Sequence, residues 1–482
     1  MAFEMVGVVG LGTMGAGIAE VFARAGLRVI GVEADADALA RGRGHLERST
    51  QRAVDRGRLD GAGRDRILGL ITLTTSREDL RDADLVVEAI PEILDHKISL
   101  LRDLDRICKP ETVLATNTSS LPVTALAAAT GRRGRVVGMH FFNPAPVMKL
   151  VEVVGTVVTD PDVVPAIAEL AARLGKTAVT VGDRAGFVVN RLLLPYLNHA
   201  AVLMEQCVAA RDDIDAAMTR GAGLPMGPFE LLDLIGLDTA YEVMGVLFDE
   251  TRDRRHAPAP LLRELVAARL LGRKTGRGFH GEEPMRREPE KSSVITFAVD
   301  GPDPGGLGER LRSAGFKSSD DPEVILRHAD RPVIEHAVRL RNPARLVGVR
   351  VVGDRVAELA ATILTSPEAA RCARDLMKVI GLTPVACRDR AGFVTDALLY
   401  PYLNDAVRMY ESGYASIADI DTAMKLGCGY PAGPFETLES IGLAVVRDGL
   451  RALYAEYREP AYAPAPLLDQ LVTAGVRSFP RP

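Results

Sequence analysis

Through the first third of the chain, short apolar runs alternate with amphipathic stretches of helical period. MVGVVG (5–10) reads as a buried strand, AGIAEVFARAG (16–26) as a helix that Gly26 stops, and LRVIGVE (27–33) as a second strand. A polar helical stretch from Ala36 to Arg58 follows, then the strands ITLTT and DLVVEAI, a helix around HKISLLRDLDRI, and the strands TVLATN and RVVGMHFF. Helices set between apolar strands predict a doubly wound, Rossmann-like parallel sheet. Ligands of such sheets lie beyond the carboxyl ends of the strands, which directs attention to Glu88–Glu92, Asn117–Ser120 and His140–Asn143.

The periodicity then becomes helical, and the chain repeats itself. DRAGFVVNRLLLPYLNHA (183–200) returns as DRAGFVTDALLYPYLNDA (389–406), and 40 of the 80 positions in 183–262 are identical at a constant offset of 206. Each copy predicts three helices: a long one after DRAGF, one at DDIDAAM or ADIDTAM, and one after a Pro/Gly corner at PMGPFE or PAGPFE. Between the copies, 291–385 reads as a shrunken version of the first domain. The strand-like VITFAV runs into DGPDPGGLGERLRSAGF, whose two prolines remove backbone donors. RLVGVRVVGDRVAELAAT echoes RVVGMHFFNPAPVMKLVEVV, with Arg350 where His140 would lie and no clear counterpart of Glu152. The expected fold is α/β plus all-α: a Rossmann-like domain (1–182), a helical domain (183–282), a degenerate segment (283–385) and a second helical domain (386–482).

Composition narrows the class. A length of 482 residues, 47% hydrophobic content and a net charge of -5 describe a globular protein with no basic excess for nucleic acid. No apolar run is long enough to span a membrane. Five scattered cysteines without CxxC spacing favour neither disulfides nor a metal site, and a reducing cytoplasm is the expected location.

The chemistry begins at the first turn. GLGTMG places Gly10, Gly12 and Gly15 in GxGxxG spacing between strand and helix, so Gly10, Leu11, Gly12, Thr13, Met14 and Gly15 form a candidate pyrophosphate cradle. Glu33, ending the next strand, suits ribose hydroxyls and repels a 2'-phosphate, which predicts NAD over NADP. Oxidising a secondary alcohol requires a base for the hydroxyl proton, and imidazole is matched to that task. His140 in GMHFFNPAP is the candidate base, Glu152 in KLVEVV its carboxylate partner, and Ser119 in NTSS a hydrogen-bond donor to the substrate oxygen. Taken alone, His140 also reads as a core histidine and Glu152 as an exposed strand charge; the dinucleotide fold favours the catalytic reading.

These motifs, together with VVEAIPE, GLPMGPFELLDLIGLD and GRKTGRGF, resemble the L-3-hydroxyacyl-CoA dehydrogenase family over nearly the whole chain. The resemblance implies His140 as base, Glu152 as its partner, and Ser119 and Asn190 completing a site for an acyl-CoA substrate. It also implies Glu92, Lys97, Ser119 and Lys274 around NAD, and Ser49 and Arg56 as coenzyme A contacts, Arg56 standing where the family often has lysine. In that family the helical domain pairs with its twin across a dimer, so the fused copy is expected to pair internally, in a monomer or a homodimer. In the second copy Asn190 and Arg191 become Asp396 and Ala397, which marks it as catalytically silent. The long-form resemblance points to 3-hydroxybutyryl-CoA or 3-hydroxyadipyl-CoA. Two other classes fit less well. A β-hydroxyacid dehydrogenase resembling 6-phosphogluconate dehydrogenase shares GLGxMG but uses a catalytic lysine, and a non-enzymatic nucleotide binder would not need His140, Glu152, Ser119 and Asn190.

Overall fold

The computed structural model describes residues 1, 3–281, 295–303 and 305–480. The expected boundary at 282/283 and Pro304 of the DGPDPGG stretch lie outside the described residues. By internal contacts the chain divides into two units, Met1–Arg191 with Ser412–Gly429, and Leu192–Glu411 with Tyr430–Pro482.

The first unit is built on an eight-stranded sheet in the order β3-β2-β1-β4-β5-β6-β7-β8. Its strands are β1 (Met5–Val9), β2 (Arg28–Val32), β3 (Ile71–Thr74), β4 (Leu85–Glu88), β5 (Val113–Thr116), β6 (Val136–Phe141), β7 (Leu150–Gly155) and β8 (Thr177–Gly182). The order reverses at β1/β4, the position where such sheets bind their ligands. Helices cover both faces because the central strands are apolar on both: every residue of β4, β5 and β6 is buried. Helix starts follow local chemistry. The Asp35 carboxylate accepts the Ala38 amide at 2.7 Å and so begins the helix Ala36–Asp55.

One expectation needs correcting, since the sheet is mixed and not parallel throughout. β7 runs antiparallel to β6, then β8 runs parallel to β7. The connection from Phe142 to Lys149 is shorter than the roughly a dozen residues that a parallel crossover takes, so the chain turns straight back.

The second unit contains a narrower, six-stranded sheet, β10-β9-β11-β12-β13-β14. These strands are β9 (Thr296–Val299), β10 (Lys317–Ser318), β11 (Val324–His328), β12 (Leu346–Val352), β13 (Val356–Ala361) and β14 (Thr383–Arg388). Its β12–β13 pair is antiparallel and its β13–β14 pair parallel, repeating the pattern of the last three strands of the first sheet. The two long helices that follow DRAGF, Val189–Glu205 and Thr395–Glu411, pair within this unit. Tyr196 and Tyr402, equivalent positions in the repeat, have ring centroids 5.9 Å apart, Arg255 bonds Asp405, and the Tyr462 hydroxyl meets His199 Nε2 at 2.8 Å. The internal pairing of the helical copies is thus present. Among the described residues no helix is long and apolar enough to cross a membrane, and no cluster of His, Cys, Asp and Glu could hold a metal.

Candidate active site

The glycine loop follows β1 directly. Gly10 has φ 87° and donates its amide to Val32 O at 2.9 Å, which ties the turn to the end of β2. Gly15 allows no side chain, since a Cβ there would lie 1.7 Å from Gly10 O. Gly12 is exposed, begins the helix Thr13–Arg24, and has no atom within 4 Å of where its Cβ would be. The space before that helix N-terminus is open to an anion, which fits a pyrophosphate. Glu33 sits beside the loop, its Oε1 accepting the Leu11 amide at 2.5 Å.

At the ends of β4 and β5 lies a carboxylate pair around a buried lysine. Lys97 Nζ lies 2.8 Å from Glu88 Oε1 and 3.2 Å from Glu92 Oε2, and both Lys97 and Glu88 are fully buried. Glu92 also accepts the Thr118 hydroxyl at 2.5 Å and the Ser119 amide at 3.0 Å. Burial opposes its ionisation, but the Lys97 charge and these bonds overcome that and hold its pKa below the usual carboxylate range. Glu92 therefore fixes the NTSS loop carrying Ser119, and Lys97 lies beneath it as its counter-charge.

His140 ends up opposite Glu152 because the β6–β7 register pairs them across the antiparallel ladder. His140 Nδ1 lies 2.7 Å from Glu152 Oε2, and the Phe142 and Phe187 rings flank the imidazole at 4.6 and 5.7 Å between centroids. Glu152 is fully buried, the reverse of an exposed strand charge, and its Oε1 accepts the Val188 and Val189 amides at 3.0 Å each. Those amides converge through an unusual turn in which Gly186 (φ 72°) and Phe187 (φ 45°) both have positive φ. A non-glycine residue in that region is strained, and here the surrounding bonds maintain it. Asn190 is the next residue, half-buried at the start of the helix Val189–Glu205. Asn117 joins the loop to β6, accepting the Phe141 amide at 2.8 Å.

A cleft of about 220 Å³ lies on the same unit, lined by Ser49, Arg52, Arg56, Arg58, Arg24 and the 142–149 segment at Pro144, Pro146 and Val147. Arg24 is paired with Glu20, whereas Arg52, Arg56 and Arg58 have no ion-pair partner among the described residues. Arg52 and Arg58 were not foreseen. The signal was available: Ser49, Arg52 and Arg56 stand at i, i+3 and i+7 on one helical face. Lys274 belongs to the second unit, where it pairs with Asp238.

The second sheet corrects one further expectation, because Glu152 does have a counterpart. Arg350 on β12 faces Glu358 on β13 in the register that His140 and Glu152 share, and Glu358 Oε1 accepts the Val394 and Thr395 amides at 3.2 and 2.7 Å. Glu358 stands at the same offset of 206 from Glu152 that relates the two helical copies, while the loop between the strands, shortened to a tight turn at Gly353 and Asp354 with positive φ at both, shifts β12 so that Arg350 lies 210 residues beyond His140. Arg350 Nη2 lies 2.5 Å from Asp396 Oδ1. The frame persists, but an Arg–Asp ion pair occupies the positions of His140 and Asn190, and no imidazole stands there.

Comparisons with known proteins agree with this geometry. The family model for the 3-hydroxyacyl-CoA dehydrogenase NAD binding domain matches residues 5–184, and that for the family's C-terminal domain matches 186–281 and again 392–478. The 3-hydroxyadipyl-CoA dehydrogenase of Escherichia coli (strain K12) is 37% identical over 478 residues, 98% of this chain and 99% of that one. A 3-hydroxybutyryl-CoA dehydrogenase of Mycobacterium tuberculosis (strain ATCC 25618 / H37Rv) is 46% identical over 281 residues, 58% of this chain and 98% of its own. Among solved structures, a 3-hydroxybutyryl-CoA dehydrogenase from Escherichia coli K12 superposes with a TM-score of 0.83 at 36% identity, covering 98% of this chain and 100% of that one. With its glycine cradle, its paired helical copies and these matches along its length, the chain belongs to the 3-hydroxyacyl-CoA dehydrogenase family and is an NAD-dependent oxidoreductase.

Proposed function

We propose that this enzyme oxidises the 3-hydroxyl of a (3S)-3-hydroxyacyl-CoA with His140 as general base. The observation that carries the reading is the 2.7 Å bond between His140 Nδ1 and the buried Glu152 carboxylate. A carboxylate there keeps the proton on Nδ1 and leaves Nε2 to take the hydroxyl proton, and its charge stabilises the imidazolium that forms. When bound, NAD supplies the hydride acceptor. The loop Gly10–Gly15 holds its pyrophosphate and Glu33 its ribose hydroxyls, while Glu92 fixes the Ser119 loop above Lys97. Ser119 and Asn190 hydrogen-bond the substrate oxygen. Ser49, Arg52, Arg56 and Arg58 hold the phosphates of coenzyme A, with guanidinium forks suited to bidentate contact.

For the acyl group we favour 3-hydroxyadipyl-CoA, because the relative so named matches along the full length of this chain. The four-carbon substrate is the second reading, supported by a full-length structural relative named 3-hydroxybutyryl-CoA dehydrogenase and by shorter enzymes of that name, one 46% identical over 281 residues. Steady-state reduction of 3-oxoadipyl-CoA and of acetoacetyl-CoA, followed by NADH absorbance, decides between them. A kcat/KM higher for acetoacetyl-CoA overturns the first choice. His140→Gln tests the chemistry and is expected to lower kcat by roughly 10² to 10⁴ with NADH binding retained. Near-normal turnover in that variant refutes His140 as the base.

A further inference from the structure

The segment Ser412–Gly429 belongs by repeat to the second helical copy, yet it packs as part of the first unit. Its helix Ile417–Cys428 lies against β7 and β8. At its start the Tyr414 hydroxyl donates to Gly182 O at 2.8 Å, and the Arg184 guanidinium sits 4.7 Å over the Tyr414 ring. At its other end Gly427 meets the frame of the catalytic pair. A Cβ on Gly427 would lie 2.9 Å from Val189 Cγ2 and 3.1 Å from Leu150 Cδ2. Val189 carries one of the two amides that hold Glu152, and Leu150 precedes Glu152 by two residues on β7, on the same face of the strand. The next residue, Cys428, has its thiol pKa pushed up by burial and then by the charge of Glu152, so the carboxylate is close enough to act on it.

We infer that Gly427, supplied by the second helical copy, is a positioning residue for the active site of the first domain. It lets the helix end close against Val189 and Leu150, and that contact holds the Val189 amide on Glu152 and so sets the angle of His140. The inference rests on the proposed roles of His140 and Glu152. It gives the silent copy a part in turnover without a site of its own. A larger side chain at 427 pushes Val189 away, the amide leaves its 3.0 Å bond, and the carboxylate turns with it. An error of about 1 Å in such a constellation costs on the order of a hundredfold in rate.

The repeat provides an internal control. Gly221 is the equivalent residue of the first copy, and in the second unit it stands 3.4 Å, by its hypothetical Cβ, from Val352 Cγ1 and 3.7 Å from Thr395 Oγ1, beside the Arg350–Glu358 pair. Gly427→Val and Gly221→Val in the full-length enzyme therefore probe equivalent positions of the repeat, a tight contact behind His140 and Glu152 and a looser one behind Arg350 and Glu358. Gly427→Val is expected to lower kcat by roughly tenfold to a hundredfold with KM for NAD and for the acyl-CoA within about twofold. Gly221→Val keeps kcat within about twofold of the parent. Adding Val189→Ala to Gly427→Val removes the methyls that the new side chain strikes, and should restore most of the lost turnover. A folded Gly427→Val with parental kcat, an equal loss from Gly221→Val, or no rescue by Val189→Ala overturns the inference. If Gly427→Val does not accumulate as folded protein, Gly427→Ala is read by the same criteria. His140→Gln measured alongside separates the two levels: if it loses turnover while Gly427→Val does not, only the positioning role fails.

Discussion

Replacing Glu152 by glutamine tests the proposed catalytic pair without changing its shape. In the parent, one carboxylate oxygen accepts two backbone amides at 3.0 Å and the other faces His140 Nδ1 at 2.7 Å. A glutamine has one oxygen and one donor group. Two amides outweigh one imidazole, so the oxygen stays on Val188 and Val189 and the NH₂ turns to His140. Nδ1 must then accept, its proton moves to Nε2, and the nitrogen required as base is blocked. Kinetically this resembles removal of the base, a loss of roughly 10² to 10⁴ in kcat, or about 3 to 5 kcal/mol. The bonds to the amides become neutral ones, which costs on the order of 1 kcal/mol in stability. Glu152→Ala is the contrast, because it leaves two buried amides unpaired at about 1 to 3 kcal/mol each and should unfold well below the parent. The assay is NADH oxidation with acetoacetyl-CoA at saturating substrate, with NADH affinity measured separately by fluorescence titration. A Glu152→Gln enzyme within tenfold of the parent kcat would show that the tautomer of His140 does not govern the reaction.

Two further outcomes follow from the second unit. Asp396→Ala removes the nearer of the two carboxylates that pair Arg350, Glu358 at 3.7 Å being the other, and should cost about 1 to 3 kcal/mol in chemical denaturation while leaving kcat unchanged; a kinetic defect would contradict the silent copy. His199, whose pKa is lowered to about 4 by burial and then by the Arg255 charge, takes up its proton in the unfolded chain near 6.5. Its contribution is therefore complete above pH 6.5 and lost as pH falls toward 4, by at most about 3 kcal/mol, and His199→Gln should flatten that part of the stability profile; parallel profiles would refute the assignment.

Much of this protein was legible in its sequence. Strand and helix periods, the spacing of Gly10, Gly12 and Gly15, and the repeat at an offset of 206 are local or self-referential patterns, and they predicted the nucleotide cradle and the duplicated helical domain. His140 and Glu152 could be named as residue types suited to the chemistry. Their contact could not, because it depends on β7 turning back antiparallel to β6 and on a register that places the two side chains opposite each other. The burial of Glu152 likewise depends on the Val188 and Val189 amides from outside the strand. Glu358 was legible, since it stands at the repeat's own offset of 206 from Glu152; what the shortened turn displaces is Arg350, 210 residues beyond His140, and only the cross-strand register shows that it faces Glu358. Nor does any periodicity reveal that Ser412–Gly429, written into the second copy, packs with the first domain against β7 and β8. Sequence patterns determine what each segment becomes, since propensity and amphipathicity act over a few residues. Which side chains meet is decided by long-range pairing, where one residue of register or the direction of one strand changes every neighbour.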